Sequence, residues 1–315
     1  MTLFSPSVGK GIVLSFVSLS LLGIMPIISN LRSSDIGALH FAFALSVWQV
    51  VFAAPVFGWE LRRGTKGIFG IDLSRRERGR MIFVALFTGS LFGLSTYLYV
   101  LGVEKAGVAN AAIAIQAYPL FAILWESLFL KRRKTVVELA LTAVLIGALY
   151  YLGTGGTFLL SSLSPWFLVS LGVPFLWSIA HVIIKEELSN TPITPAQVTF
   201  FRVAISTVFL AVVLAVLQPS GFVSGISAVF QMMSAVMGLV YFLELIVWFY
   251  AVRHIDVSLA SSITTPWPAL TMVLAVPLLG DTIELYQIVA FAVVVACLYC
   301  LTLVSLRKDR ARSTA

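Results

Sequence analysis

Long apolar runs separated by short polar breaks fill this chain from end to end. Ten runs stand out: Gly11–Ile28, Ala38–Trp59, Met81–Gly102, Val108–Leu130, Val136–Gly153, Pro165–Ile184, Ala196–Leu217, Val229–Val252, Val257–Leu279 and Leu285–Ser305. Each approaches the roughly 20 residues that a helix needs to cross a hydrocarbon core of about 30 Å. The pattern predicts an all-α polytopic membrane protein with ten transmembrane helices. The longest hydrophilic connection is Leu61–Arg80, and the links Thr154–Leu163 and Gln218–Gly225 carry no charge. None of these leaves room for a soluble domain. Lys10 ahead of the first run resembles a secretion signal, but the run is long and no small-residue cleavage pattern closes it, so it reads as a retained helix.

A displacement of 149 positions lays part of the chain onto itself. Val103 then falls on Val252, Val108 on Val257, Ala111 on Ala260, Pro119 on Pro268, Leu149 on Leu298 and Tyr150 on Tyr299, while Tyr118 meets Trp267. The chain therefore divides into a first five-helix repeat over 1–156 and a second over 157–315. An odd number of spans per repeat turns the second copy over in the bilayer, which places two mirror-image gates around one central site.

Composition agrees with this reading and narrows it. Hydrophobic residues make up 59% and charged residues 11%, against about a quarter charged in a soluble domain. Eighteen Lys and Arg lie on one set of alternating loops and the tail, and only Arg32 and Lys105 on the other, with Arg202 inside a span. The positive-inside rule then puts both termini in the cytoplasm and requires an even number of spans. The net charge of +7 needs no nucleic-acid partner, since a basic loop such as Arg75–Arg80 sits beside anionic lipid. The two cysteines, Cys297 and Cys300, share the last span and make no disulfide framework. No His-Glu-x-x-His helix, paired intramembrane Asp or phosphate-binding glycine loop is present, so no enzyme, metal or cofactor is expected.

Prolines punctuate several spans: Pro26 in the first, Pro174 in the sixth, Pro119 in the fourth, and Pro266 and Pro268 in the ninth. Each removes a backbone donor and is expected to kink its helix. Small residues run into the central proline of both the fourth span (Gly107 to Ala114) and the ninth (Ser258 to Thr265), which predicts a close seam between these two helices.

The small-residue helix entering a central proline, Val108 to Pro119 and again Val257 to Pro268, resembles the EamA-type repeat of the ten-span drug/metabolite transporter superfamily. Gly280–Asp281 fits the family's Gly-Glu turn, where the first copy has Lys131–Arg132, and Gly147 matches a typical family glycine that is Ala296 in the second copy. The resemblance implies a single-chain carrier with a central cavity, working by alternating access on a small organic metabolite. The aromatic content makes the YddG-like amino-acid exporters the members to compare first. A channel or receptor, and an importer of a vitamin-like or cationic metabolite, are the competing readings.

Polar and aromatic residues inside the spans supply the candidate site. Arg202, Glu244 and His181 lie roughly 6–12 Å inside one boundary at 1.5 Å per residue. Arg202 with Glu244 reads as a structural ion pair, as a gate or substrate contact, or as a proton-carrying group. At mid-depth lie Trp48, Gln49, Gln116, Tyr118, Trp177 and Trp267, with Tyr97, Tyr99 and Trp248 on repeat-related spans. Their rings and amides suit a planar or amphipathic substrate, although packing and interfacial anchoring are the ordinary roles of such residues.

Overall fold

The computed structural model describes residues 7–70, 72, 74–128, 135–255 and 257–313; the basic turn Lys131–Lys134 lies outside them. Thirteen α-helices account for nearly all of the described chain. They are α1 (Val8–Asn30), α2 (Ala38–Arg62), α3 (Arg75–Ala106), α4 (Val108–Ile115), α5 (Tyr118–Leu128), α6 (Val136–Gly153), α7 (Pro165–Asn190), α8 (Pro195–Leu217), α9 (Phe222–Ala228), α10 (Met232–His254), α11 (Val257–Thr264), α12 (Trp267–Leu279) and α13 (Leu285–Ser313). Among the described residues, nine segments are long and apolar enough to cross a membrane. The fourth span is represented there only by the shorter apolar stretch Val108–Phe121, and it is broken into α4 and α5.

That break has an equivalent in the second repeat. The turn at Gln116–Ala117 between α4 and α5 and the turn at Thr265–Pro266 between α11 and α12 coincide under the 149-residue shift. So do the starts of α4 and α11, and of α6 and α13. The prolines explain the interruption. Pro119 and Pro268 are each the second residue of the helix that follows, and Pro266 caps α12. In the first turn a missing N–H costs nothing, whereas the residues upstream lose a donor and are pushed from helical dihedrals. These prolines therefore end one helix and start another, where a kink in a continuous helix was expected. Pro26 and Pro174 do lie inside continuous helices, but Pro26 is in the last turns of α1 and Pro174 in the first half of α7, so they are not repeat equivalents. Near Pro26, the Gly23 carbonyl accepts a hydrogen bond from Thr271 Oγ1 at 2.7 Å.

The largest packings between the repeats are kept when the two are exchanged. α1 packs on α10 as α7 packs on α3; α2 on α10 as α8 on α3; and α1 on α11 and α12 as α7 on α4 and α5. α2 with α8 and α6 with α13 are their own counterparts. The pseudo-twofold therefore passes between these self-paired helices. The expected contact between the fourth and ninth spans is made by α4 on α12, while α4 also rests on α7 and α3 and α11 rests on α1.

Two glycines bring the repeats together. A Cβ on Gly89 would sit 2.5 Å from Ile205 of α8, and one on Gly238 would sit 2.5 Å from Trp48 Cβ and 2.8 Å from the Leu45 carbonyl of α2. Gly89 and Gly238 are equivalent by the 149-residue shift, and their contacts Ile205 and Trp48 differ by 157 positions, as do the first residues of α8 and α2. Outward faces are apolar, with Phe83, Val208 and Val273 all about two-thirds exposed, which is what hydrocarbon tolerates.

Replacing Gly238 by alanine should destabilise the fold by about 1–3 kcal/mol, the usual cost of overpacking. Gly147→Ala, where a Cβ meets nothing within 4 Å, should leave stability unchanged or slightly raised. Unfolding temperatures of the two purified variants check the contrast.

Candidate functional site

Polar and aromatic side chains from α3, α7, α8 and α10 converge in the interior. Arg202 of α8 is buried, with its guanidinium carbon 3.5 Å from the Phe92 ring centroid and 5.9 Å from that of Tyr241. Phe92 and Tyr241 are themselves repeat equivalents on α3 and α10. The cation thus lies between matching rings of the two repeats. A guanidinium over an aromatic face is held by the ring quadrupole, and that contact satisfies none of its N–H donors. Arg202 Nη1 and the Tyr99 hydroxyl have no hydrogen-bond partner, while the Tyr241 hydroxyl lies close to the guanidinium and to Thr96 without full hydrogen-bond geometry.

Glu244 lies one turn along α10 from Tyr241 and within electrostatic range of Arg202, Tyr99 and Tyr241. Arg202 and Glu244 do not close the ion pair expected of them. Glu244 Oε1 instead accepts from Ser18 Oγ of α1 at 3.1 Å, while Arg202 turns to Phe92. The ring acts as a competing partner that needs no carboxylate. Ser95, the repeat equivalent of Glu244, accepts from Trp177 Nε1 of α7 at 2.9 Å. Each repeat therefore ties its third span to the opposite first span through the same position, with a carboxylate in one case and a hydroxyl in the other.

His181 joins this group from α7. Its ring lies 5.3 Å from Phe92, 5.7 Å from Tyr118 and 6.3 Å from Trp177, centroid to centroid. Tyr118 is the first residue after the α4–α5 break, so the break reaches the cluster through one ring contact. Trp248 packs on the neighbouring apolar group that contains Phe92 and Phe249.

The structure thus brings together Tyr99, Tyr118, Trp177, His181, Arg202, Trp248 and Glu244. It places the remaining candidates otherwise. Trp48 donates its indole N–H to the Val229 carbonyl and stacks on Phe52. Gln49 is buried beside it at the Gly238 crossing. Trp267 belongs to the central apolar core, as Tyr99 also does, and Tyr97 packs on it, as Trp177 also does. Among the described residues, neither Trp267 nor Tyr97 makes a ring contact with the cluster. Gln116 is buried in the α4–α5 turn itself, its N–H bonded to the Ile113 carbonyl at 3.0 Å. Phe92, Tyr241, Ser18 and Ser95 escaped the sequence reading. The shift that aligns Phe92 with Tyr241 was the available signal.

Among the described residues no group of three or more His, Cys, Asp or Glu is placed to hold a metal ion.

The family model for EamA-like transporters matches residues 9–154 and matches again over residues 164–303. This chain belongs to the EamA-like transporter family. It is accordingly a multi-pass membrane transporter of the drug/metabolite type, and its two matches follow the two repeats seen in the packing. A solved crystal structure, 17% identical, aligns over 96% of this chain and 99% of its own with a TM-score of 0.55; that likeness concerns the fold alone. No curated protein matches the chain.

Ser18→Ala should cost about 1–3 kcal/mol, because it removes a hydrogen bond from a buried carboxylate. Glu244→Gln should cost less, since an amide oxygen still accepts from Ser18 and the carboxylate no longer has to be buried, although Arg202 loses part of its compensation. Thermal unfolding in detergent ranks the two variants; a more damaging Glu244→Gln would contradict this account of the contact.

Proposed function

We propose that this EamA-like transporter is a secondary carrier that moves a small organic metabolite across a bacterial inner membrane by alternating access, in the direction of efflux. The substrate is an amino acid with an aromatic or amphipathic side chain, or a related amine. Both termini face the cytoplasm, and one chain suffices for transport. The repeat boundary proposed from the sequence, at 156/157, falls in the link between α6 and α7.

The observation that carries this reading is the position of Arg202. It is a buried cation with an unused donor, set between equivalent rings of two repeats that pack alike when exchanged. Inverted repeats supply two related packings of one chain around a shared site, which is the basis of alternating access. An unused guanidinium donor in a low-dielectric interior favours an incoming carboxylate, and neighbouring rings favour a planar or apolar side chain. Glu244 in range of Arg202 suits the opposite end of a zwitterion. Among the described residues the connections between spans are short and hold no folded soluble domain.

Counterflow in proteoliposomes loaded with a mixture of amino acids tests the reading. Saturable exchange above that of protein-free liposomes is expected, and Arg202→Gln should reduce it at least tenfold, the effect of about 1.4 kcal/mol. Equal uptake with and without protein would defeat the carrier reading, and non-saturable flux accompanied by current would favour a channel.

A further inference from the structure

His40 and Gln197 are each the third residue of their helix, α2 and α8, and the 157-residue offset makes them repeat equivalents. Each reaches the turn that leaves the other helix. Gln197 Oε1 accepts from the Ile68 N–H at 3.1 Å, and its Nε2 donates to the Lys66 carbonyl at 2.9 Å. These two bonds flank Gly67, whose φ of +52° opens the single 3-10 turn that follows α2. His40 Nε2 lies 3.0 Å from the Gly221 carbonyl oxygen, in the 3-10 turn that follows α8. A Cβ on Gly67 would run into the Gln197 amide, and one on Gly221 would come within 3.1 Å of His40 Nε2. The Gln197 clasp needs glycine at its point of contact, a Cβ at Gly221 would only be tight, and the two clasps hold opposite ends of the antiparallel α2–α8 pair.

The two ends are held unequally. At the Gln197 end the amide is fully buried, and Thr194 Oγ1 adds a bond to Glu60 Oε2 at 2.6 Å. Phe57 stacks on Phe200 with centroids 4.6 Å apart, and Phe69 meets Phe201 edge-on at 6.1 Å. At the His40 end the bond to the turn after α8 comes from a half-buried ring, and the Trp48 indole, two turns further along α2, bonds the Val229 carbonyl after α9. The segment beside it, α9 and the turn after it, leaves Val223 75% and Phe230 81% exposed. One neutral hydrogen bond changes an opening equilibrium by roughly three- to tenfold. The several bonds and stacked rings at the other end resist opening far more.

We propose that His40 is a releasable clasp and Gln197 a fixed one, so that α2 and α8 part at the His40 end while hinging at the Gln197 end. The motion belongs to the alternating-access reading above, but opening can be measured without transport. The test uses the full chain with Cys297→Ser and Cys300→Ser, purified in detergent, carrying either Ala42→Cys near the His40 end or Ala53→Cys nearer the Gln197 end. Both alanines are buried. A water-soluble maleimide then reports each opening as a labelling rate. His40→Phe, which keeps a ring but has no donor, should raise labelling at position 42 roughly three- to tenfold and leave position 53 unchanged. His40→Gln, whose amide donates as Gln197 does, should keep position 42 near the parental rate. An unchanged rate at 42 in His40→Phe, an equal rise at 53, or a His40→Gln variant as open as His40→Phe would each overturn the proposal. Loss of counterflow with this labelling pattern intact would remove the carrier reading and leave the clasp standing.

Discussion

Close approach at Gly89 and Gly238 sets the distance between the two repeats, and the other interior contacts follow from it. In lipid there is no hydrophobic force between helices, so association rests on dispersion, on hydrogen bonds and on how nearly backbones can touch. A glycine at each crossing lets the α3 backbone receive Ile205 of α8 and the α10 backbone receive the Trp48 Cβ of α2. Ser206 exploits that proximity by donating to the Gly89 carbonyl at 2.8 Å. The same approach carries α8 far enough inward for Arg202 to reach the Phe92 ring on α3 and to face Tyr241 on α10. Widening either crossing would separate the cation from its rings before it disturbed the apolar outer faces.

The backbone symmetry is strict where the chemistry is not. Arg202 corresponds to Leu45 by the 157-residue offset, and Glu244 corresponds to Ser95 by the 149-residue shift. Both interior charges therefore belong to the second repeat. Symmetric helices can exchange packing between two states, while a charge present in one copy makes the interior polar on one side of the axis. Burying a lone cation is costly. Here a ring face, neighbouring hydroxyls and a carboxylate within range share the compensation, none of them forming a close ion pair with it. Such a cation stays available to a ligand in a way that a closed Arg–Glu pair would not.

Length and polarity alone announced the all-helical membrane fold, because hydrocarbon leaves the backbone almost no other solution. The repeat was equally legible where side chains match, from Val103 to Tyr150, and it fixed the register of both helix breaks. What it did not reveal was that Pro119 and Pro268 end helices where kinks were expected, since a proline at the second position and one in mid-helix read alike in a string of letters. The Arg202–Glu244 pair was a reasonable inference from opposite charges at similar depth. It failed because Phe92 and Ser18 sit on other helices, and the sequence does not say which face of each helix turns inward. Trp48 was likewise placed by type and depth, whereas its indole N–H is spent on the Val229 carbonyl.

The helix breaks and the polar cluster are parts of one arrangement. Pro119 deprives the carbonyl four residues earlier, at Ile115, of its helical donor. Such a carbonyl persists at membrane depth only where protein or a wet cavity covers it. The first break is enclosed by α3 and α7, and its next residue, Tyr118, touches His181. A change in how α5 meets α4 would therefore move Tyr118, then the His181 ring, and through Phe92 the contact that holds Arg202. Because α11 and α12 break at the equivalent point and rest on α1, whose Ser18 holds Glu244, the second break leads to the carboxylate as the first leads to the guanidinium. Each charge is thus reached from a different repeat's helix break.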